Sequence, residues 1–188
     1  MQGALKDISA RQPRPEGHLL SYKGRKPASA RASAAARGSS KKIDTRCEIL
    51  LRRTLWAAGA RYRKNVKELP GRPDIVFPKA KLVVFCDGDF WHGRNWESRR
   101  QKLAQGTNPD YWISKIERNI ERDRLSTSKL EEMGWTVLRV WETEIRSSPL
   151  QAAGKVLEAL GALDKTGRHS VNRAQERETT LSISGKDA

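Results

Sequence analysis

Apolar positions along the chain fall into short blocks whose spacing changes from helical to extended and back. Ile49, Leu50 and Leu55-Trp56 form a stripe that predicts a helix. Asp44 or Thr45 can cap it, Glu48 sits in its first turn where a carboxylate suits the dipole, and Gly59 is a good C-terminal stop. Arg61-Tyr62-Arg63-Lys64-Asn65-Val66 is strand-like but charged, which places it near a sheet edge. Ile75-Val76-Phe77 and Leu82-Val83-Val84-Phe85 are β-branched or aromatic and bounded by Pro and Gly, predicting two strands joined by a tight turn. Residues 93–109 are polar and read as irregular. A long helix then runs from Asn108-Pro109-Asp110 to about Met133, where Gly134 ends it. Within it Trp112, Ile116 and Ile120 recur every four residues and mark the buried face. Thr136–Trp141 reads as a further strand and Leu150–Leu160 as a short amphipathic helix. The order α-β-β-β-α-β-α predicts an α/β fold, a mixed central sheet flanked by helices.

Outside that patterned region the composition changes. Residues 1–43 hold Pro, Gly, Ser, Ala, Lys and Arg with almost no large apolar side chains, and cannot bury enough surface to offset their ordering entropy. They read as a disordered basic arm, either touching phosphates or simply solvated; an organellar transit segment is a further reading. Residues 164–188 return to the same composition and read as a disordered tail, leaving 44–163 as the folded domain. The 188 residues carry 37 Lys and Arg against 22 Asp and Glu, a net charge of +15. Such an excess favours a polyanionic partner, nucleic acid first and an anionic membrane surface second. The only cysteines are Cys47 and Cys86, so no disulfide framework is implied and a reducing compartment is expected. No apolar run approaches the roughly 18 residues needed to cross a membrane.

Chemistry concentrates after the second strand. A turn centred on Ala80 sets Asp74 opposite Cys86, with Asp87 one step beyond, so a carboxylate lies beside the main-chain carbonyl of Cys86. Oxygen ligands gathered at a strand end suit Mg²⁺, and Asp87 is a candidate for enlarging the set. Gly88-Asp89-Phe90-Trp91-His92 delivers two aromatics and an imidazole to the same end. His92 can deprotonate a water, with Asp123 on the long helix to orient it. Glu48 could meet the metal through a water. Asn119 and Asp123, one turn apart beside an apolar stripe, either point into this site or pair with Arg118, Arg122 or Arg124 at the surface. Phe90, Trp91 and Trp112 either wedge between base pairs or pack in the core. Arg72 and Arg94 are candidates for contact with DNA, Arg94 within a stretch where basic groups interleave with Trp96.

Gly71-Arg72-Pro73-Asp74, Phe90-Trp91-His92, Tyr111-Trp112, Asn119-Ile120-Glu121-Arg122-Asp123-Arg124 and Gly134–Glu142 stand in the order seen in very short patch repair endonucleases, which the chain resembles over about residues 44–160. These enzymes resemble PD-(D/E)xK restriction endonucleases in fold. The resemblance implies a Mg²⁺-dependent endonuclease that nicks duplex DNA 5′ of the T of a T:G mismatch. It implies Asp74 as principal metal ligand, the Cys86 backbone carbonyl as a second, His92 as the catalytic histidine, and Asp123, Asn119 and Glu48 as polar residues of the site. Phe90, Trp91 and Trp112 match aromatics inserted beside the mismatch. A monomer acting with a mismatch-repair coordinator, in the bacterial cytoplasm with the nucleoid, follows from the same source.

Two features depart from that pattern. Where well-studied members hold a structural zinc, this chain has Asp89, Arg94, Trp96 and Thr143, which cannot make a Cys/His tetrahedral site. No structural zinc is expected, with polar pairing and Trp96 holding the loop instead. Asp87 also replaces a histidine expected to face phosphate. Two alternatives stand beside the mismatch reading: a nuclease of a restriction or phage-defence system with other specificity, and a non-catalytic DNA-binding module.

Overall fold

The computed structural model describes residues 43–163, so the tail and all but the last residue of the basic arm lie outside the described residues. Helix α1, Arg46–Ala57, starts at Thr45 with a capping box in which Thr45 and Glu48 exchange hydrogen bonds. Four strands follow: β1 Arg63–Lys64, β2 Ile75–Phe77, β3 Leu82–Asp87 and β4 Thr136–Trp141. They form one sheet in the order β1-β2-β3-β4, antiparallel across the first two pairs and parallel between β3 and β4. A parallel neighbour needs a crossover, supplied by α2 (Trp96–Ala104) and α3 (Pro109–Glu132). Helix α4, Glu142–Ser147, and a helix α5 over 149–163 complete the described chain.

The strand alternation sorts side chains into two cores. Ile75, Phe77, Leu82 and Val84 join Leu51 and Leu55 of α1 and Ile145, Ala152 and Val156 of the last helices. Val76, Val83 and Phe85 point the other way, onto Leu130 of α3. The sheet is therefore covered on both faces, which is why β2 and most of β3 are apolar at every position rather than at every second one. The mixed α/β sheet flanked by helices stands as predicted.

Several local expectations are corrected. The hairpin pairs Phe77 with Leu82 and Ile75 with Val84, so its loop is the four-residue Pro78–Lys81 rather than an odd loop centred on Ala80. Lys81 takes φ 51° to close it. Extending that register sets Asp74 level with Phe85, one residue short of the predicted Cys86. The buried stripe of α1 is Cys47, Leu51 and Leu55; Ile49 and Trp56 lie seven residues apart on its outer side, Trp56 53% exposed. The stretch read as irregular contains α2, which buries no residue and therefore shows no apolar stripe. Helix α4 follows β4 without a break and buries only Ile145.

Candidate active site

Asp74 sits just before β2, and its placement depends on β3. Its N–H donates to the Val84 carbonyl at 3.1 Å, and its Oδ2 accepts the Cys86 N–H at 2.7 Å. Burial pushes the Asp74 carboxyl up to about 7; the Cys86 hydrogen bond opposes that rise, while the charges of Glu48 and Asp87 add to it. A carboxylate withdrawn from water among others of like sign invites a cation. Burial likewise pushes the Cys86 thiol well up, so its sulfur stays protonated near neutrality and only the main chain of Cys86 is a candidate donor. Gly71 brings the same segment against α3: its φ is +70°, and a Cβ there would stand 2.9 Å from Ser126 Cβ.

From the end of β3 the chain turns sharply. The N–H groups of Trp91 and His92 both donate to the Gly88 carbonyl, at 3.0 and 3.1 Å, and Arg94 N–H donates to the Asp89 carbonyl. This turn throws His92 towards α3. There Asp123 Oδ2 meets His92 Nδ1 at 2.5 Å, and one helical turn earlier Asn119 Nδ2 donates to the Trp91 carbonyl at 3.1 Å. Asn119 and Asp123 therefore hold the turn, the first by its backbone and the second by its imidazole, while the other oxygen of Asp123 lies 3.9 Å from Arg122, one of the predicted surface partners. Burial alone would raise the Asp123 carboxyl, but the His92 hydrogen bond and the His92 and Arg139 charges outweigh it and hold it below its ordinary value. The pair opens into a cleft of about 410 Å³, lined also by Asp87, Thr127, Arg139 and Trp141.

Arg139 is the residue that sequence reasoning passed over. Its Nε and one Nη bond both oxygens of Asp87, at 2.6 and 2.8 Å, and the same Nη stands 3.4 Å from Asp123. That fork engages both oxygens of Asp87, offered as an extra metal ligand, and makes Arg139 its principal partner in the structure. The available signal was an arginine flanked by Leu138 and Val140 inside an otherwise apolar strand. Glu48 is also committed. It is 3% exposed, and its oxygens accept the Asp44 and Thr45 N–H groups, the Thr45 hydroxyl and Arg52. It acts on Asp74 through its charge.

Phe90, Trp91 and Trp112 form one cluster, with ring centroids 5.0 to 6.2 Å apart, and all three remain half-exposed. Lys115 lies 5.3 Å from the Trp91 ring centre and 5.6 Å from that of Trp112, and Arg99 lies 5.5 Å from that of Phe90. Arg72 is exposed, beside Asp74 in sequence. Arg94 is instead drawn into a clasp: it lies 3.5 Å from Asp89 and 3.6 Å from Glu144. Asp89 also accepts the Thr143 N–H at 3.5 Å, and Glu144 binds Lys155 at 2.8 Å. Three of the four positions singled out at the zinc locus thus meet through polar contacts.

Among the described residues no three His, Cys, Asp or Glu side chains converge as a metal-holding group. The half-buried Asp74 carboxylate, with one oxygen on the Cys86 N–H, is the donor that could hold a divalent cation. Such an ion can be bound through one or two carboxylates, with water and substrate phosphate completing its shell.

A family profile described as DNA mismatch endonuclease Vsr matches residues 28–98. The type II nicking enzyme V.NmeDIP of Neisseria meningitidis serogroup C is 42% identical over 140 residues, covering 74% of this chain and 90% of the relative. The type II nicking enzyme V.HpaIIP of Haemophilus parainfluenzae is 39% identical over 124 residues, 66% of this chain and 86% of its own length. DNA mismatch endonuclease Vsr of Escherichia coli is 39% identical over 103 residues, 55% and 64% of the two chains. With the site just described, these likenesses define the protein's class as a DNA endonuclease. The chain belongs to the Vsr family of DNA mismatch endonucleases.

Proposed function

We propose that the protein nicks duplex DNA 5′ of the T of a T:G mismatch by Mg²⁺-assisted hydrolysis of a phosphodiester, as in very short patch repair. The observation that carries this reading is the His92–Asp123 pair standing at the sheet end that also holds the half-buried Asp74. Asp74 and the Cys86 carbonyl would hold the cation, which when bound supplies positive charge to the phosphate and its leaving oxygen. With Nδ1–H donating to Asp123, His92 presents the Nε2 lone pair and takes a proton there from the attacking water. Asp123 then stabilises the imidazolium that forms and keeps the ring from turning. Asn119 fixes the Trp91 carbonyl and with it the turn that carries His92. The half-exposed rings of Phe90, Trp91 and Trp112 supply a flat wedge beside the mismatch, and Lys115, Arg99, Arg72 and the net charge of +15 supply attraction for the backbone. The family relation supports a monomer acting with a mismatch-repair coordinator, in the cytoplasm with the nucleoid.

A second reading keeps the chemistry and changes the recognised sequence, as in a restriction or defence system; it is favoured by relatives named type II nicking enzymes. The deciding experiment is a Mg²⁺-dependent nicking assay on duplexes that differ by one T:G pair. Cleavage beside the mismatch that is absent in His92→Ala supports the repair reading. Equal cutting of matched and mismatched DNA moves the assignment to the second one, and binding without cutting leaves a DNA-binding module.

A further inference from the structure

Two carboxylates lie within reach of the same imidazole nitrogen. Asp123 Oδ2 is 2.5 Å from His92 Nδ1, and Asp87 Oδ1 is 3.6 Å from it. Only one of them can take the proton on Nδ1, and the ring turns with the choice. Asp87 is 2% exposed and ends β3, immediately before the turn that carries His92. Left without a partner, a carboxylate so withdrawn from water would compete strongly for the nearest donor.

Arg139 removes that competition. The parallel register sets Arg139 opposite Phe85 and Trp141 opposite Asp87, so the long side chain reaches two residues along the sheet to Asp87. On the way its guanidinium passes 4.7 Å from the Phe85 ring centre, and its remaining Nη lies 3.5 Å from Thr127 Oγ1. The fork on Asp87 is bidentate, and the Nη that closes it also touches Asp123. Burial works against the charge on Arg139, yet the two carboxylates more than offset it and raise its pKa.

We propose that Arg139 is a positioning residue that decides which carboxylate holds the catalytic imidazole. By engaging both oxygens of Asp87 it leaves His92 Nδ1 to Asp123. The direction of Nε2, and so of proton abstraction, is set two steps away on β4. This rests on His92 acting as the general base.

The test compares wild-type protein, R139Q, D87N/R139Q and H92A in Mg²⁺-dependent single-turnover nicking, with nitrogen-15 NMR of the His92 ring. R139Q is expected to lose about a hundredfold in rate, the scale of a misplaced catalytic group, at unchanged KM, with a shifted Nδ1 signal. D87N/R139Q is expected to recover most of the rate, because an Asn–Gln pair can still hydrogen-bond and leaves no competing carboxylate. A wild-type rate in R139Q overturns the proposal, as does a double variant as slow as R139Q. A raised KM in R139Q also overturns it, since Arg139 would then be touching the DNA itself. If R139Q does not fold, the double variant decides alone: a near wild-type rate supports the proposal and a hundredfold loss overturns it. Wild-type protein that does not cut, or H92A that cuts normally, defeats the general-base reading instead.

Discussion

His92 Nδ1 and Asp123 Oδ2 lie 2.5 Å apart although 31 residues separate them in the chain. The contact exists because the turn after β3 and the middle of α3 are brought to one end of the sheet by the β3–β4 crossover. Asp123→Asn is nearly isosteric but can present an N–H to Nδ1, which would place the imidazole proton on Nε2 and remove the base. Single-turnover nicking should fall by about 10²–10⁴-fold in this variant and in His92→Ala, with little change in DNA affinity. Undiminished cutting by Asp123→Asn would show that the pair only braces the loop.

Asp74 gives a pH dependence with a definite sign. Its pKa rises from 3.8 to about 7 in the metal-free native state, so the folded protein holds that proton more tightly than the unfolded chain. Below about pH 4 both states are protonated and the group is neutral in its effect; as pH rises towards about 7 the penalty for ionising it in place grows to its full value. Asp74→Asn should therefore melt higher than wild type in chelator at about pH 8, with the difference gone by about pH 4. Added Mg²⁺ should stabilise wild type and leave the variant unmoved. Equal melting curves in chelator at the higher pH would sink the idea.

Gly93 has φ +70°, and a Cβ there would stand 2.4 Å from Ile120 Cδ1 on α3. Gly93→Ala should cost about 1–3 kcal/mol through overpacking and backbone strain. Because His92 is the preceding residue, nicking at a temperature where the variant is fully folded should also slow. A variant with wild-type denaturation midpoint and rate would show that the turn yields without consequence.

The clasp of Asp89, Arg94, Thr143 and Glu144 predicts that purified protein carries no stoichiometric zinc by elemental analysis. Arg94→Ala should loosen residues 88–95, read as faster amide exchange there than in β3. One zinc per chain, or exchange unchanged in the variant, would remove the clasp from the account.

A good part of this architecture was legible in the residues. Short unbroken apolar runs bounded by Pro and Gly, an apolar stripe at every fourth position, the Thr45 cap and the Gly134 stop give α1, α3, β2, β3 and β4, because local backbone preference and burial point the same way there. Helix α2 buries nothing and so offers no stripe to read, and the predicted stripe of α1 mixes its two sides: Leu55 faces the core and Leu50 packs against it, while the equally apolar Ile49 and Trp56 face outward.

The sequence by itself determined which chemical groups are present: a carboxylate ahead of an apolar strand, an imidazole after the next, and an Asn–Asp pair one turn apart on a helix. What only the tertiary structure decided is who partners whom. A four-residue hairpin loop shifted the register by one and turned Asp74 onto the Cys86 N–H. The helix cap enclosed Glu48, and Arg139, 52 residues from Asp87, claimed that carboxylate and left His92 to Asp123. Such choices are made by pairs far apart in the chain competing for the same few buried donors and acceptors, and no local pattern records the outcome of that competition.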